Sequence, residues 1–113
     1  MIAWEVFIQG VKDPAALMED FEFASAKTVD VMRDDIFIIV LEHNDDGKCA
    51  IRVSVRSHDG QSVCSILEER ALFAENFMKG VQTHAGVRGV DLGDTFQITG
   101  VGQASVTGGN FMD

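Results

Sequence analysis

Apolar residues recur at two different periods along the first quarter of the chain. Every second residue from Ile2 to Ile8 is strongly apolar, and this period of two predicts a strand over residues 2–9 with one buried face. Asp13-Pro14 then marks a helix start, because the acid can cap the first turn and proline fits the first helical position. Apolar residues at helical spacing follow, so a helix is predicted over residues 14–24.

Three further segments of the first half have the patterns of strands. Residues 27–33 alternate between apolar and polar. Ile36–Leu41 is an unbroken apolar run, which predicts a central strand buried on both faces. A turn over 44–47 ends in Asp-Gly, and the alternation resumes over 49–56. These segments predict an antiparallel meander.

The longest predicted helix follows His58–Gly60 and ends at Gly80. Ser65–Glu68 has the pattern of a capping box at its start, and Asp59 or Ser62 could cap it a turn earlier. Its apolar stripe is wider than the usual ~100°, because Phe73 and Phe77 extend it. We therefore expect one side of this helix to pack on the sheet and the other to contact a second surface. Phe73 and Phe77 are candidate interface residues for that contact.

The last third of the chain is rich in glycine and ends without charge. Short β-like pieces cover residues 87–92, 95–99 and 101–107, and Thr95–Met112 contains no charged residue. Exposed edge strands normally carry charges or proline that prevent pairing with other chains. This stretch is therefore expected inside the sheet, under a second copy of the chain, or disordered. Its candidate interface residues are Thr95, Phe96, Ile98, Val101 and Val106.

Together these segments predict one α+β domain over residues 1–113. The expected architecture is an antiparallel sheet of about five to six strands with two helices packed on one face, in the order β-α-β-β-β-α-β-β. Phe7 and Phe23 do not fall on the apolar faces of their elements. An exposed aromatic pair of this kind would suit a contact with another protein, unless both sheet faces are covered.

The charge of the chain is strongly negative and unevenly distributed. With 18 acids and 9 bases the net charge is −9, which argues against nucleic-acid binding because phosphate neutralisation needs basic residues. Residues 1–46 hold 11 acids and 3 bases, a net −8, and residues 47–113 hold 7 acids and 6 bases, a net −1. A possible acidic surface for a basic protein partner comprises Glu19, Asp20, Glu22, Asp34, Asp35, Asp45 and Asp46.

The sequence also gives an expectation for the cellular compartment of the protein. The longest purely aliphatic or aromatic run is Ile36–Leu41, far short of the ~20 residues that a membrane helix needs. The N-terminus lacks the basic region of a secretory signal, and two cysteines do not make a disulfide framework. We therefore expect a cytoplasmic protein with free thiols and no membrane contact.

The motifs that carry chemistry are weak. The loop Glu42–Gly47 imitates the start of a calcium loop, but the twelfth position is Val53 rather than the bidentate glutamate, so a plain hairpin turn is favoured. Cys64 lies near a helix start, where the thiol pKa can fall, but no spacing gathers it with His43, His58 or His84. The glycines of 86–89 and 100–102 are read as turns or bulges. No catalytic, cofactor-binding or metal-ligating residue is predicted.

The first hypothesis is therefore a non-enzymatic binding module that forms a homodimer through the uncharged β segment or the long helix. A second hypothesis is a small enzyme or ligand-binding protein with a pocket between sheet and helices. A third is an immunity or DNA-mimic protein whose carboxylates replace phosphates on a basic partner.

Overall fold

A computed structural model describes residues 2–57 and 59–103. This part of the chain contains four strands and three α-helices. In chain order they are β1 (Ile2–Gln9), α1 (Met18–Val29), β2 (Ile36–His43), β3 (Cys49–Val55), α2 (Gly60–Glu68), α3 (Arg70–Val87) and β4 (Gln97–Gln103). Short 3-10 turns at Pro14–Leu17 and Arg33–Asp35 precede α1 and β2.

The four strands form one antiparallel sheet in the order β2-β3-β1-β4. With α2 and α3 counted as one interrupted helical segment, the element order is β-α-β-β-α-β, which is the split β-α-β arrangement of ferredoxin-like folds. The predicted α+β class is confirmed. In detail, the described residues hold four strands rather than five or six, and three helices rather than two.

The core lies between the helices and one face of the sheet. Trp4 on β1 meets Phe73 edge-on at 5.5 Å between ring centroids, and Phe73 stacks on Phe77 at 6.2 Å. Phe77 in turn stacks on Phe21 of α1. All four rings are buried. Phe73 and Phe77, expected on a free helix surface, therefore lie inside the core, because the wide apolar stripe of α3 is shared between the sheet and α1.

The first helix is longer than predicted. It runs to Val29, which continues the buried stripe of Phe21, Ala24 and Ser25 at helical spacing. The predicted strand over 27–33 is therefore wrong, since its alternation coincides with the last turn of α1. Asp30 ends the helix in the left-handed conformation.

The strand predicted at the centre of the sheet lies at its edge. β2 pairs only with β3 in the sheet order, and most of its residues are at least partly exposed. A continuous apolar run resembles a doubly buried strand. Here the run instead covers the core on one side and leaves apolar residues in solvent on the other.

The predicted long helix is two helices. Asp59 caps α2 by accepting a hydrogen bond from the Ser62 backbone N–H, and the helix breaks at Glu69, whose backbone is not helical. α3 then continues through Gly80 to Val87. Gly80 does not stop the helix, because it is the site where α3 approaches α1: a Cβ there would lie 2.9 Å from the Cβ of Ala24. The predicted strand over 87–92 is consequently a helix end and a loop.

The two C-terminal β pieces form a single strand as far as they are described. β4 spans Gln97–Gln103 at the second edge of the sheet, with a bulge in its pairing to β1. Phe96 is buried and Thr95 lies in the preceding turn. Val106 lies outside the described residues. Within the described ranges, no helix has the length and apolar content needed to cross a membrane.

Candidate functional site

One face of the sheet is covered by no helix of the described residues and exposes large apolar side chains. The register places Phe37 and Ile39 of β2 on the same face as Phe7 of β1, opposite to the face that contains Trp4 and Val6. Phe7 is 40% exposed, Phe37 43% and Ile39 56%, whereas the inward residues of β1 and β3 are almost fully buried. We call this side of the sheet the outer face.

Small residues make the outer face flat around the Phe7 ring. Ala50 of β3 is opposite Phe7 on one side and Gly100 of β4 on the other. A Cβ at Gly100 would lie 3.6 Å from the Phe7 ring, an ordinary van der Waals contact, which shows that the ring lies beside the backbone of β4. The ring remains partly in solvent and is presented to whatever covers this face.

A single ion pair lies in the middle of the outer face. Arg52 of β3 is opposite Glu5 of β1, and Arg52 Nη2 donates to Glu5 Oε2 at 3.1 Å. Both side chains are about four-fifths buried. The Arg52 Nε–H is also buried and has no hydrogen-bond partner in the described part of the chain. The pair neutralises the centre of the face and leaves one donor unused.

The apolar surface continues onto the free edge of β2. Val40 and Leu41 are 39% and 41% exposed at a bulge in the β2–β3 pairing. At the other end of β2, the Arg56 guanidinium lies 5.5 Å from the centre of the Phe37 ring and is held by Asp35 at 3.2 Å. The outer face thus has an apolar centre and a partly charged rim, which is the usual composition of a protein interface.

The seven acids predicted to form an acidic surface are dispersed, and four of them have basic partners. Glu22 pairs with Arg33, Asp35 with Arg56, and both Glu19 and Asp20 with Arg88. Of the remaining three, Asp34 precedes β2 at one end of the sheet, whereas Asp45 and Asp46 lie in the turn at the opposite end. The described residues therefore do not combine these acids into one strongly negative face.

Asp20 is a buried carboxylate rather than a surface acid. It accepts hydrogen bonds from Arg88 Nη2 at 2.7 Å and Arg88 Nε at 3.2 Å, and lies 2.5 Å from His84 Nδ1. Burial raises the pKa of Asp20, but the hydrogen bonds from Arg88 and His84 outweigh it and leave the pKa below its usual value. His84 also stacks on Phe23 at 4.6 Å. This arrangement joins α1 to the end of α3 and places Phe23 in that contact.

Of the residues considered for thiol or metal chemistry, the described structure makes only Cys49 and His43 cross-strand neighbours. Cys49 is buried on β3, where burial raises its thiol pKa, and its cross-strand neighbour His43 lies 2.8 Å through Nε2 from the Val11 carbonyl oxygen. Cys64 is exposed on α2, and His58 lies outside the described residues. In residues 2–57 and 59–103, no three His, Cys, Asp or Glu side chains are grouped as metal ligands.

The loop that resembles a calcium site is a hairpin turn in the structure. The Asn44 side-chain oxygen accepts hydrogen bonds from the backbone N–H groups of Asp46 and Lys48. Gly47 takes a positive φ of 88°, as a tight turn requires. Asn44 therefore uses its side-chain oxygen to hold the backbone of the turn.

A cavity of about 250 Å³ lies where the junction of α2 and α3 meets the start of β1 and the end of β4. Its wall is mostly apolar and includes Trp4, Leu67 and Val101, with Cys64, Glu68 and Arg70 among its other lining residues. Of the residues predicted as an interface, only Val101 lies here.

Sequence reasoning missed most of the outer face. The off-pattern position of Phe7 was its one visible signal, and Phe7 is exposed in the structure. The predicted exposed pair with Phe23 is not formed, because Phe23 is partly buried and stacks on His84. Phe37 and Ile39 gave no such signal, because a run of apolar residues does not show which face is covered. Comparison of the chain with protein-family models, curated proteins and solved structures gave no match.

Proposed function

We propose that this protein is a non-enzymatic binding module that pairs with a second copy of itself through the outer face of its sheet. The observation that carries the proposal is the exposure of Phe7, Phe37 and Ile39 on a face that no helix within residues 2–57 and 59–103 covers. An antiparallel sheet with one solvated face normally carries polar residues there. Three large apolar residues on that face require a separate explanation.

The exposed apolar area is of the size that an interface needs. Taking ~200 Å² for a fully exposed large side chain, the three residues with Leu41 leave roughly 350 Å² of apolar surface. A standard interface buries about 800 Å² per partner, of which somewhat more than half is apolar. The outer face and the β2 edge together therefore supply most of the apolar area that one half of a stable dimer requires.

The chemistry of the face favours a second copy over a basic partner. Two identical sheets can pack face to face about 10 Å apart, with the same patch used by both molecules. Glu5 is already neutralised by Arg52, so this face offers no unpaired acid at its centre. The acids elsewhere are dispersed or paired, so they give little support to a DNA-mimic function.

Solution mass tests the proposal. We expect sedimentation velocity to give twice the 12.3 kDa chain mass for the wild type, and a monomer for Ile39→Lys. The Ile39 side chain is more than half in solvent in the single chain, so lysine is tolerated there by the monomer but not by a packed sheet pair. Far-UV circular dichroism of the variant checks that the fold is retained.

Leu72→Lys is the matched control. Leu72 is 50% exposed on α3, so the same type of change is made on the helical side of the molecule. Under this proposal Leu72→Lys remains dimeric. A wild type that stays monomeric at high micromolar concentration would overturn the proposal, and so would a Leu72→Lys monomer beside an Ile39→Lys dimer, which would assign the interface to the long helix.

A further inference from the structure

The cavity between the α2–α3 junction and the ends of β1 and β4 is separate from the proposed dimer contact at Phe7, Phe37 and Ile39. The non-helical residue Glu69 lies at this cavity, since Leu67 at the end of α2 and Arg70 at the start of α3 both line it. At about 250 Å³ it has room for roughly ten non-hydrogen atoms, scaling from the cavity of about 150 Å³ that binds benzene.

Trp4 is one of the residues that line this cavity. It is 99% buried, and its indole Nε1–H has no hydrogen-bond partner among residues 2–57 and 59–103. The Nε1 atom is itself buried, so a ligand in the cavity does not accept a hydrogen bond from it. Trp4 therefore contributes to the wall of the site and can report on its occupancy.

Arg70 places a positive charge at the cavity, and this charge forms no ion pair within the described residues. Each of the other four arginines pairs with a carboxylate, whereas Arg70 has no such partner in the described part of the chain. It is also the first residue of α3, where the helix dipole disfavours a positive charge. A contribution to the stability of α3 therefore does not explain why the residue at this position is an arginine. Glu68 lines the same opening and adds one negative charge.

We infer that this cavity binds a small apolar monocarboxylate, with the hydrocarbon part against Leu67 and Val101. The carboxylate accepts hydrogen bonds from the Arg70 guanidinium at the opening of the cavity. Because the cavity also contains Glu68, a ligand with two negative charges is disfavoured.

The chain offers a direct readout of binding. Trp4 is its single tryptophan and the chain has no tyrosine, so its fluorescence reports on this cavity alone, and its one indole N–H gives one NMR signal. We would titrate three probes of nearly equal shape: phenylacetate, phenylacetamide and phenethylamine. We expect saturable changes in Trp4 emission and in the indole N–H shift, with phenylacetate binding tightest. Its advantage over the amide should be roughly fivefold, as for one well-placed exposed ion pair.

Arg70→Gln should remove the advantage of the carboxylate and leave binding of the amide unchanged. Lys12→Gln is the matched control, since it removes the same charge from an exposed residue outside the cavity lining and should preserve the preference. Phenylacetate should also slow alkylation of the exposed Cys64 at the cavity wall. Ile39→Lys should bind phenylacetate like the wild type, which separates this site from dimer formation.

Three results would overturn the inference. One is the absence of any saturable Trp4 signal with all three probes. The second is tightest binding of the amine, which would assign the specificity to Glu68. The third is equal weakening of phenylacetate by Arg70→Gln and Lys12→Gln, which would reduce the effect to net charge.

Discussion

Asp20 in the first turn of α1 and Arg88 directly after α3 are joined by two hydrogen bonds, although 68 residues separate them. Each charge stands at the helix end that favours it, the acid near an N-terminus and the base at a C-terminus. Arg88 also donates to the Ala16 carbonyl oxygen at 2.7 Å. This pair therefore holds α1 and the C-terminal end of α3 together at one end of the core.

Asp20→Asn is expected to destabilise the fold by about 3 kcal/mol, the lower end of the range for breaking a buried ion pair, since Arg88 is partly exposed. The carboxyl pKa is lowered in the folded state, so its stabilisation is present above the unfolded value of about 3.9 and is lost as the pH falls through the folded value. Urea unfolding at several pH values measures this. The gap between wild type and variant should narrow below about pH 4, and a gap that widens there would contradict the assignment.

Gly80 and Gly86 of α3 should respond oppositely to alanine. A Cβ at Gly80 would lie 2.9 Å from the Ala24 Cβ and 3.0 Å from its Cα, so the helices must separate. Overpacking of this kind costs about 1–3 kcal/mol, which exceeds or cancels the gain of up to ~1 kcal/mol in helix propensity. Gly86 has no atom within 4 Å of such a Cβ, so Gly86→Ala should stabilise by a few tenths to ~1 kcal/mol. Chemical denaturation of both variants makes the comparison, and a stabilising Gly80→Ala would refute the close helix contact.

The sequence could predict elements whose local pattern has one interpretation. β1 and β3 alternate cleanly, and the hairpin turn before β3 carries Asn44 and Gly47 at the positions that need them. The Asp59 cap of α2 was also predictable, because aspartate directly before a helix is a preferred N-cap residue. In these segments local preference and tertiary packing agree.

The sequence could not predict features that depend on distant packing. Gly80 is a helix stop by local preference, and only the approach of Ala24 explains why the helix continues through it. Asp20 has the sequence context of a solvated helix acid, and its partner Arg88 comes 68 positions later. The outer face also depends on the packing of segments that are distant in sequence. Phe37 is exposed because it lies on the sheet face opposite the core, and the pattern of an unbroken apolar run does not show which of its side chains take that face.

Cys64 and Cys49 should differ in reactivity by orders of magnitude. Cys64 is exposed, so iodoacetamide reaches its thiol in the folded protein. Cys49 is buried, so the reagent cannot easily reach its thiol. Burial also raises the pKa of this thiol, which lowers the fraction present as thiolate at neutral pH. Mass spectrometry should show one alkylation in native buffer and two in denaturant. Rapid modification of Cys49 under native conditions would show that β3 is not held in the core as described, and Cys64→Ala provides the background for that measurement.

Dimer formation through the outer face should strengthen as salt is added. Each copy carries a net charge of −9, so two copies repel one another, and that repulsion is screened when the Debye length falls from about 10 Å at 0.1 M to about 3 Å at 1 M salt. The apolar contact of Phe7, Phe37 and Ile39 is not screened in this way, and kosmotropic salts strengthen it. Sedimentation equilibrium in NaCl and in sodium sulfate should therefore give a dissociation constant that falls with salt, further in sulfate. A dissociation constant that rises instead would mean that opposite charges hold the copies together, and the interface would then have to be sought among the acids and arginines of the rim.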